Sequence, residues 1–85
     1  MTYKVTLDED AKRGMAQLTP ARRRAVHEAM QGPLAARPLT VGRVKSGSGP
    51  TALRVLALES AGVSIGYRVY NDRVEVTVVW LLGHP

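Results

Sequence analysis

Two apolar runs in the second half of the chain constrain the fold more than any other feature. Val63, Ile65, Tyr67 and Val69 alternate with Ser64, Gly66 and Arg68, and beyond Asn71-Asp72 the alternation resumes with Val74, Val76, Val78 and Trp80. A period of two puts every second side chain on the same face of an extended strand. Asn and Asp tolerate positive φ, so Asn71-Asp72 reads as the tight connection of a hairpin. A two-residue turn there sets Arg68 opposite Glu75 as a cross-strand ion pair. Such a hairpin has an apolar face, and the rest of the chain must cover it.

The upstream sequence supplies that cover. Tyr3, Val5 and Leu7 alternate with polar residues and predict a strand over about 3–7. Asp8 suits a helix N-cap, Glu9 and Asp10 favour the positive end of the helix dipole, and Ala11, Met15 and Leu18 share one helical face. Thr19-Pro20 reads as a second cap followed by proline at the first helical position, and Ala25, Val26, Ala29 and Met30 form the apolar stripe. Gly32-Pro33 ends this helix, with room for an extra turn over 34–36. From Arg37 to Pro50 the composition shifts to Pro, Gly and Ser, which predicts a loop with one short strand near 41–45 and a mobile Ser46-Gly47-Ser48-Gly49. After Arg54 every residue to Leu58 is apolar, as expected of a central strand covered on both faces; a short buried helix gives the same run, but the neighbouring turns favour the strand. Glu59-Ser60-Ala61-Gly62 then connects to Val63. The order is one strand, two helices, then three or four strands. It predicts an α+β fold in which two N-terminal helices pack on a small antiparallel sheet of four to five strands.

Eighty-five residues at 45% hydrophobic content suit one domain spanning residues 1–85. Twelve Lys and Arg against seven Asp and Glu leave a formal charge of +5, which favours a polyanionic partner, either nucleic acid or an acidic peptide. With no cysteine, disulfides, thiolate nucleophiles and cysteine zinc sites are excluded. The two histidines, His27 and His84, lack a recurring spacing to Asp or Glu, so no metal site is expected. The N-terminal segment is mixed and polar, and the longest apolar stretch falls well short of the roughly 18 residues a membrane span needs. A soluble, cytoplasmic protein without a small-molecule cofactor is the expectation.

Several side chains could carry chemistry. Arg22, Arg23 and Arg24 cover most of a helical turn and cannot share one direction, so they read either as a solvated face or as contacts to phosphate or an acidic partner. Arg43 and Lys45 precede the Ser/Gly loop, where cations beside free backbone amides can hold phosphates, although the nucleoside-triphosphate loop pattern is absent. Arg54 is the lone charge in an apolar strand and needs a partner or a cleft. His84 follows the last strand, and a histidine there can act as general acid or base. Tyr67 and Trp80 continue the alternating registers and read as core.

Tyr3-Lys4-Val5, Leu18-Thr19-Pro20, Leu53-Arg54-Val55, Ile65-Gly66-Tyr67-Arg68-Val69 and Val76-Thr77-Val78-Val79-Trp80 with Gly83-His84 together resemble the RelE/ParE toxin superfamily over nearly the whole chain. The resemblance implies the toxin of a bacterial type II toxin–antitoxin pair, with a concave basic face and an acidic antitoxin that wraps it. RNA-cleaving members act on mRNA in the ribosome without a metal. On that pattern Arg54 stabilises charge, His84 supplies acid–base chemistry, and Arg43, Lys45 and Arg68 contact RNA. Arg22 and Arg23 then contact the antitoxin or phosphate. The catalytic set departs from the family's: Ala52 stands at the second basic position, Ser64 where an arginine is usual, and Pro85 follows His84 where arginines and a tyrosine are common. Reduced catalysis, a ParE-like block of DNA gyrase, a module that only binds its antitoxin, and a shortened sequence are all compatible with these departures.

Overall fold

The chain alternates between capping signals and apolar stripes, and the structure, a computed structural model that describes residues 2–84, follows them closely. Strand β1 is Lys4–Leu7, and Asp8 ends it by accepting a hydrogen bond from the Ala11 backbone N–H, which starts helix α1, Glu9–Gln17. Thr19 repeats the device for α2, Pro20–Gln31, its hydroxyl accepting from the Arg22 N–H at 3.3 Å. Removing one such side-chain acceptor leaves a helix N–H without its partner and typically costs about 1 kcal/mol. Thr19→Ala is therefore expected to lower stability by that amount, and urea denaturation should record it as a lower midpoint at unchanged slope.

Beyond α2 come two single turns, α3 (Pro33–Ala36) and α4 (Pro38–Val41), each opened by a proline. The first is the extra turn expected at 34–36. The second is new, because a turn begun by proline inside a Pro/Gly-rich stretch has the same composition as a loop. Strands β2 (Arg43–Ser46), β3 (Leu53–Leu58), β4 (Val63–Tyr70) and β5 (Glu75–Gly83) complete the fold.

The five strands form one sheet in the order β1-β5-β4-β3-β2. Four of them pair antiparallel, and β1 lies parallel to β5, so the sheet is mixed. The expected α+β arrangement of helices on a small sheet is what the chain adopts. Helices α1 and α2 cover one face, where Ala11, Met15, Leu18, Val26 and Ala29 meet Val63, Ile65, Tyr67, Val69, Val76 and Val78. Gly14 permits the close approach of α1, since a Cβ there would lie 2.7 Å from the Leu81 carbonyl oxygen.

Three local expectations are corrected. The β4–β5 connection has four residues, 71–74, with Val74 at φ 50°, and Tyr3 donates to the Asn71 side-chain oxygen at 2.8 Å. The longer turn moves the register, so Arg68 faces Thr77 and Glu75 faces Tyr70; Glu75 meets Arg73 instead, at 3.8 Å. Strand β3 is covered on one face only, because the helices lie on a single side of the sheet; Ala57 is exposed. Trp80 is not core. Gly66 pairs with Trp80 but Tyr67 pairs with Val78, so Val79 is an extra residue in β5. A bulge of one residue exchanges the faces beyond it, which turns Trp80 outward and Leu81 into the core opposite Ile65.

Candidate nucleic-acid interface

The second face of the sheet carries no helix, and the register decides which side chains occupy it. Paired residues project to the same side, so Gly66 with Val55 and Trp80, Ser64 with Ala57 and Leu82, and Arg68 with Thr77 lie opposite the core. Arg43, paired with Val55, belongs to the same face. So does Lys45, whose ammonium lies 5.6 Å from the centre of the Trp80 ring. An exposed cation–π contact of this kind is worth about 0.5–1 kcal/mol.

The rest of this face is held by hydrogen bonds, most of them to backbone oxygens. The Arg68 guanidinium donates to the Thr51 carbonyl at 2.9 Å, which draws it across the start of β3. At the far end of the β4–β5 ladder, Ser64 Oγ and His84 Nε2 are 2.7 Å apart. The His84 backbone is clamped twice: its N–H donates to the Gly62 carbonyl at 2.7 Å, and its carbonyl accepts from Arg22 Nη2 at 2.6 Å. Although it follows the last strand, His84 is thus held by three contacts, one to β4, one to Gly62 just before it and one to α2. Arg22 reaches it from α2 past Gly62 and Gly83. Arg23, half-buried on the same helix, has no ion pair among the described residues.

Arg54 stands elsewhere. It pairs with Tyr67 and therefore points to the helix side, where Nη1 donates to the Leu39 carbonyl of α4 at 3.3 Å and Nε is buried without a partner. Beside it the fully buried Tyr67 donates its phenol proton to the Pro38 carbonyl at 2.7 Å. Burial pushes the Tyr67 phenol above its ordinary value of 10.0, against the opposing pull of the Arg54 charge and the Gly42 backbone N–H. The neutral phenol is the form that fits. Its contribution to stability is complete below pH 10.0 and falls as pH rises through the higher folded value, because the unfolded chain releases the proton first. A steeper loss of stability above pH 10 in the wild type than in Tyr67→Phe, followed by urea titration, checks this.

One edge of the sheet is open. Strand β2 pairs with β3 only as far as Val55, and beyond it a groove of about 330 Å³ runs along Val41, Arg43, Val55, Leu56, Ala57 and Glu59.

No protein-family model matches the sequence, and no curated protein matches it. Solved structures do. The toxin–antitoxin complex RelBE2 of Mycobacterium tuberculosis contains a chain that superposes with a TM-score of 0.86 at 21% identity, over 99% of this chain and 93% of that one. The chain has the RelE fold. The isolated Escherichia coli RelE toxin superposes with a TM-score of 0.79 at 19% identity, over 98% of this chain and 85% of that one. For the archaeal RelE–RelB complex of Pyrococcus horikoshii the TM-score is 0.71 at 18% identity, over 98% of this chain and 96% of that one.

On this RelE fold, four of the residues singled out in the sequence come to the helix-free face or its end: Arg43, Lys45, Arg68 and His84. Arg54 is not brought to them, and Arg22 meets His84 through its backbone alone. Sequence reasoning missed Ser64 and Trp80. Glycine at 66 amid the alternating Val63–Tyr70 run was the available sign of Trp80, since glycine inside a strand marks a close approach by another group. No helix is long and apolar enough to cross a membrane among the described residues.

Proposed function

We propose that this protein is the toxin of a type II toxin–antitoxin pair and inhibits translation by cleaving mRNA on the ribosome. The observation that carries the reading is the Ser64–His84 hydrogen bond at the end of a basic, helix-free face. The RelE fold supports it, since the neighbours above are named as a toxin or as toxin–antitoxin complexes.

Cleavage requires the 2′-oxygen to lose its proton and bond to phosphorus, while the 5′-oxygen leaves and gains a proton. His84 is the group that moves these protons. Ser64 holds its ring, because a hydroxyl both donates and accepts and so suits either tautomer. Arg43, Lys45 and Arg68 bind the phosphates and offset the charge that builds up on them. Arg54, on the other face, is the strut that ties β3 to α4 behind them. With one acid–base group in place, the ribosome supplies the remaining catalytic contacts. That target places the protein in the cytoplasm.

The partner is an acidic antitoxin. Its extended segment fits the open β3 edge, and its carboxylates pair with the basic face and with Arg22 and Arg23, whose remaining donors are free for them. Induction without antitoxin is expected to arrest growth and to leave breaks in mRNA at fixed positions within codons, mapped by primer extension. Arrest with intact mRNA would reject the nuclease, and inhibited supercoiling by gyrase at micromolar protein would replace it with the gyrase reading.

A further inference from the structure

Trp80 has no part in the core and none in the chemistry above, yet the sheet is shaped around it. Its partner across the ladder is Gly66, and a Cβ on that glycine would meet Cε2, Nε1 and Cδ2 of the indole together, well inside contact distance. Three adjacent ring atoms meeting one point means that the ring lies across the β4 backbone and not edge-on to it. Glycine in the middle of a strand weakens it and leaves nothing to pack. Here it makes the seat for a flat aromatic group. The Val79 bulge is the second device, since if Val79 itself paired with Gly66 in regular alternation Trp80 would point into the core.

One ring face therefore rests on the strand. Over the ring stands one flexible group, the ammonium of the exposed Lys45, at the register shift between Val44 and Ser46. Around it Lys4, Arg43 and Arg68 share the face with Glu75, which is next to Arg73, while Glu59 lies at the groove beside Arg43. A flat aromatic seat inside a field of positive charge matches a polyanion whose units carry planar rings. Single-stranded nucleic acid has that chemistry: stacking takes any unpaired base, and the cations follow the backbone. A duplex withholds its bases, and an acidic peptide has charge without regular rings.

We propose that Trp80 is the stacking platform for an unpaired base of single-stranded RNA, seated on Gly66 and covered by Lys45 until RNA displaces it. The choice of RNA over DNA rests on the functional reading above; the platform itself does not. When a base enters, Lys45 leaves the ring and pairs with the adjoining phosphate, so the same side chain covers the empty site and holds the filled one.

Trp80 is the only tryptophan, so its emission reports on this site alone. Titration of the intact protein with a short single-stranded oligoribonucleotide, without ribosomes, is expected to quench that emission. Anisotropy of the labelled oligonucleotide should show Trp80→Leu binding roughly tenfold more weakly, Trp80→Phe recovering most of the loss, and Lys45→Ala flattening the dependence of affinity on salt. Recovery by phenylalanine separates stacking from a merely structural role. Unchanged emission on saturation, or equal binding by Trp80→Leu, would overturn the proposal, and so would an absence of RNA binding. Failure of the nuclease reading looks different: quenching with no mRNA breaks on ribosomes leaves the platform standing. Breaks that persist in Trp80→Leu, together with no quenching in the wild type, remove the platform and leave the nuclease.

Discussion

Tyr67→Ala should destabilise the domain by about 3–5 kcal/mol, the range for emptying a fully buried aromatic site. Set against the roughly 5–15 kcal/mol that holds a domain of ordinary stability, this brings the chain close to unfolding at growth temperature. Two losses combine. The ring contributes packing at the centre of the core, between β4 and the turn of α4, and the hydroxyl satisfies the buried Pro38 carbonyl. Tyr67→Phe isolates the second, for which about 1–3 kcal/mol is expected. Thermal unfolding followed by circular dichroism separates the two variants, since each kcal/mol moves the midpoint of a domain this size by roughly 4–8 °C. A Tyr67→Ala protein that melts within a few degrees of wild type would mean that α4 closes over the vacated space, and the core assignment would be wrong.

His84→Ala is expected to lower the rate of mRNA cleavage on ribosomes by about 10²–10⁴-fold, the usual contribution of a positioned acid–base group. Both backbone clamps on residue 84 involve main-chain atoms and survive the substitution, so the fold at that end stays intact. His27→Ala is the matched control, because His27 is exposed on α2. Ser64→Ala should lower the rate less than His84→Ala, since it frees the imidazole without removing it. Cleavage at the wild-type rate by His84→Ala would assign the proton transfers to the ribosome.

Much of this arrangement was legible in the residues. Asp8 and Thr19 announce two helix starts, and the alternation through Val63–Tyr70 identifies the strand whose inner face forms the core. Legibility fails where one residue more or less decides the outcome. Asn71-Asp72 is a good turn pair, yet the turn runs through Val74, and the two additional residues carry Arg68 from Glu75 to Thr77. Likewise the alternation through Val78 predicts an inward Trp80, and a bulge leaves no mark in the composition at the position where it occurs. Arg54 was recognised as an odd charge in an apolar strand, but its direction follows from pairing with Tyr67, a long-range fact. The Ser64–His84 pair depends on the path of the chain after Gly83, which short-range signals do not encode.

The extra residue at Val79 divides β5 into two segments that answer to different neighbours. Residues 75–78 are fixed by β1 and by the inner half of β4, whereas 80–83 are fixed by α1 and by the far end of β4. Loss of the residue at 79 would join the two segments in regular register, with Trp80 still opposite Gly66 on the open face and Leu81 still opposite Ile65 in the core, whereas pairing Val79 itself with Gly66 would reverse the second segment. Substitutions at 80 and 82, by contrast, change what the open face presents without shifting the first segment. The strand thereby keeps a conservative half and a variable half in one continuous element, and a lineage could alter what it recognises while the interior stays untouched.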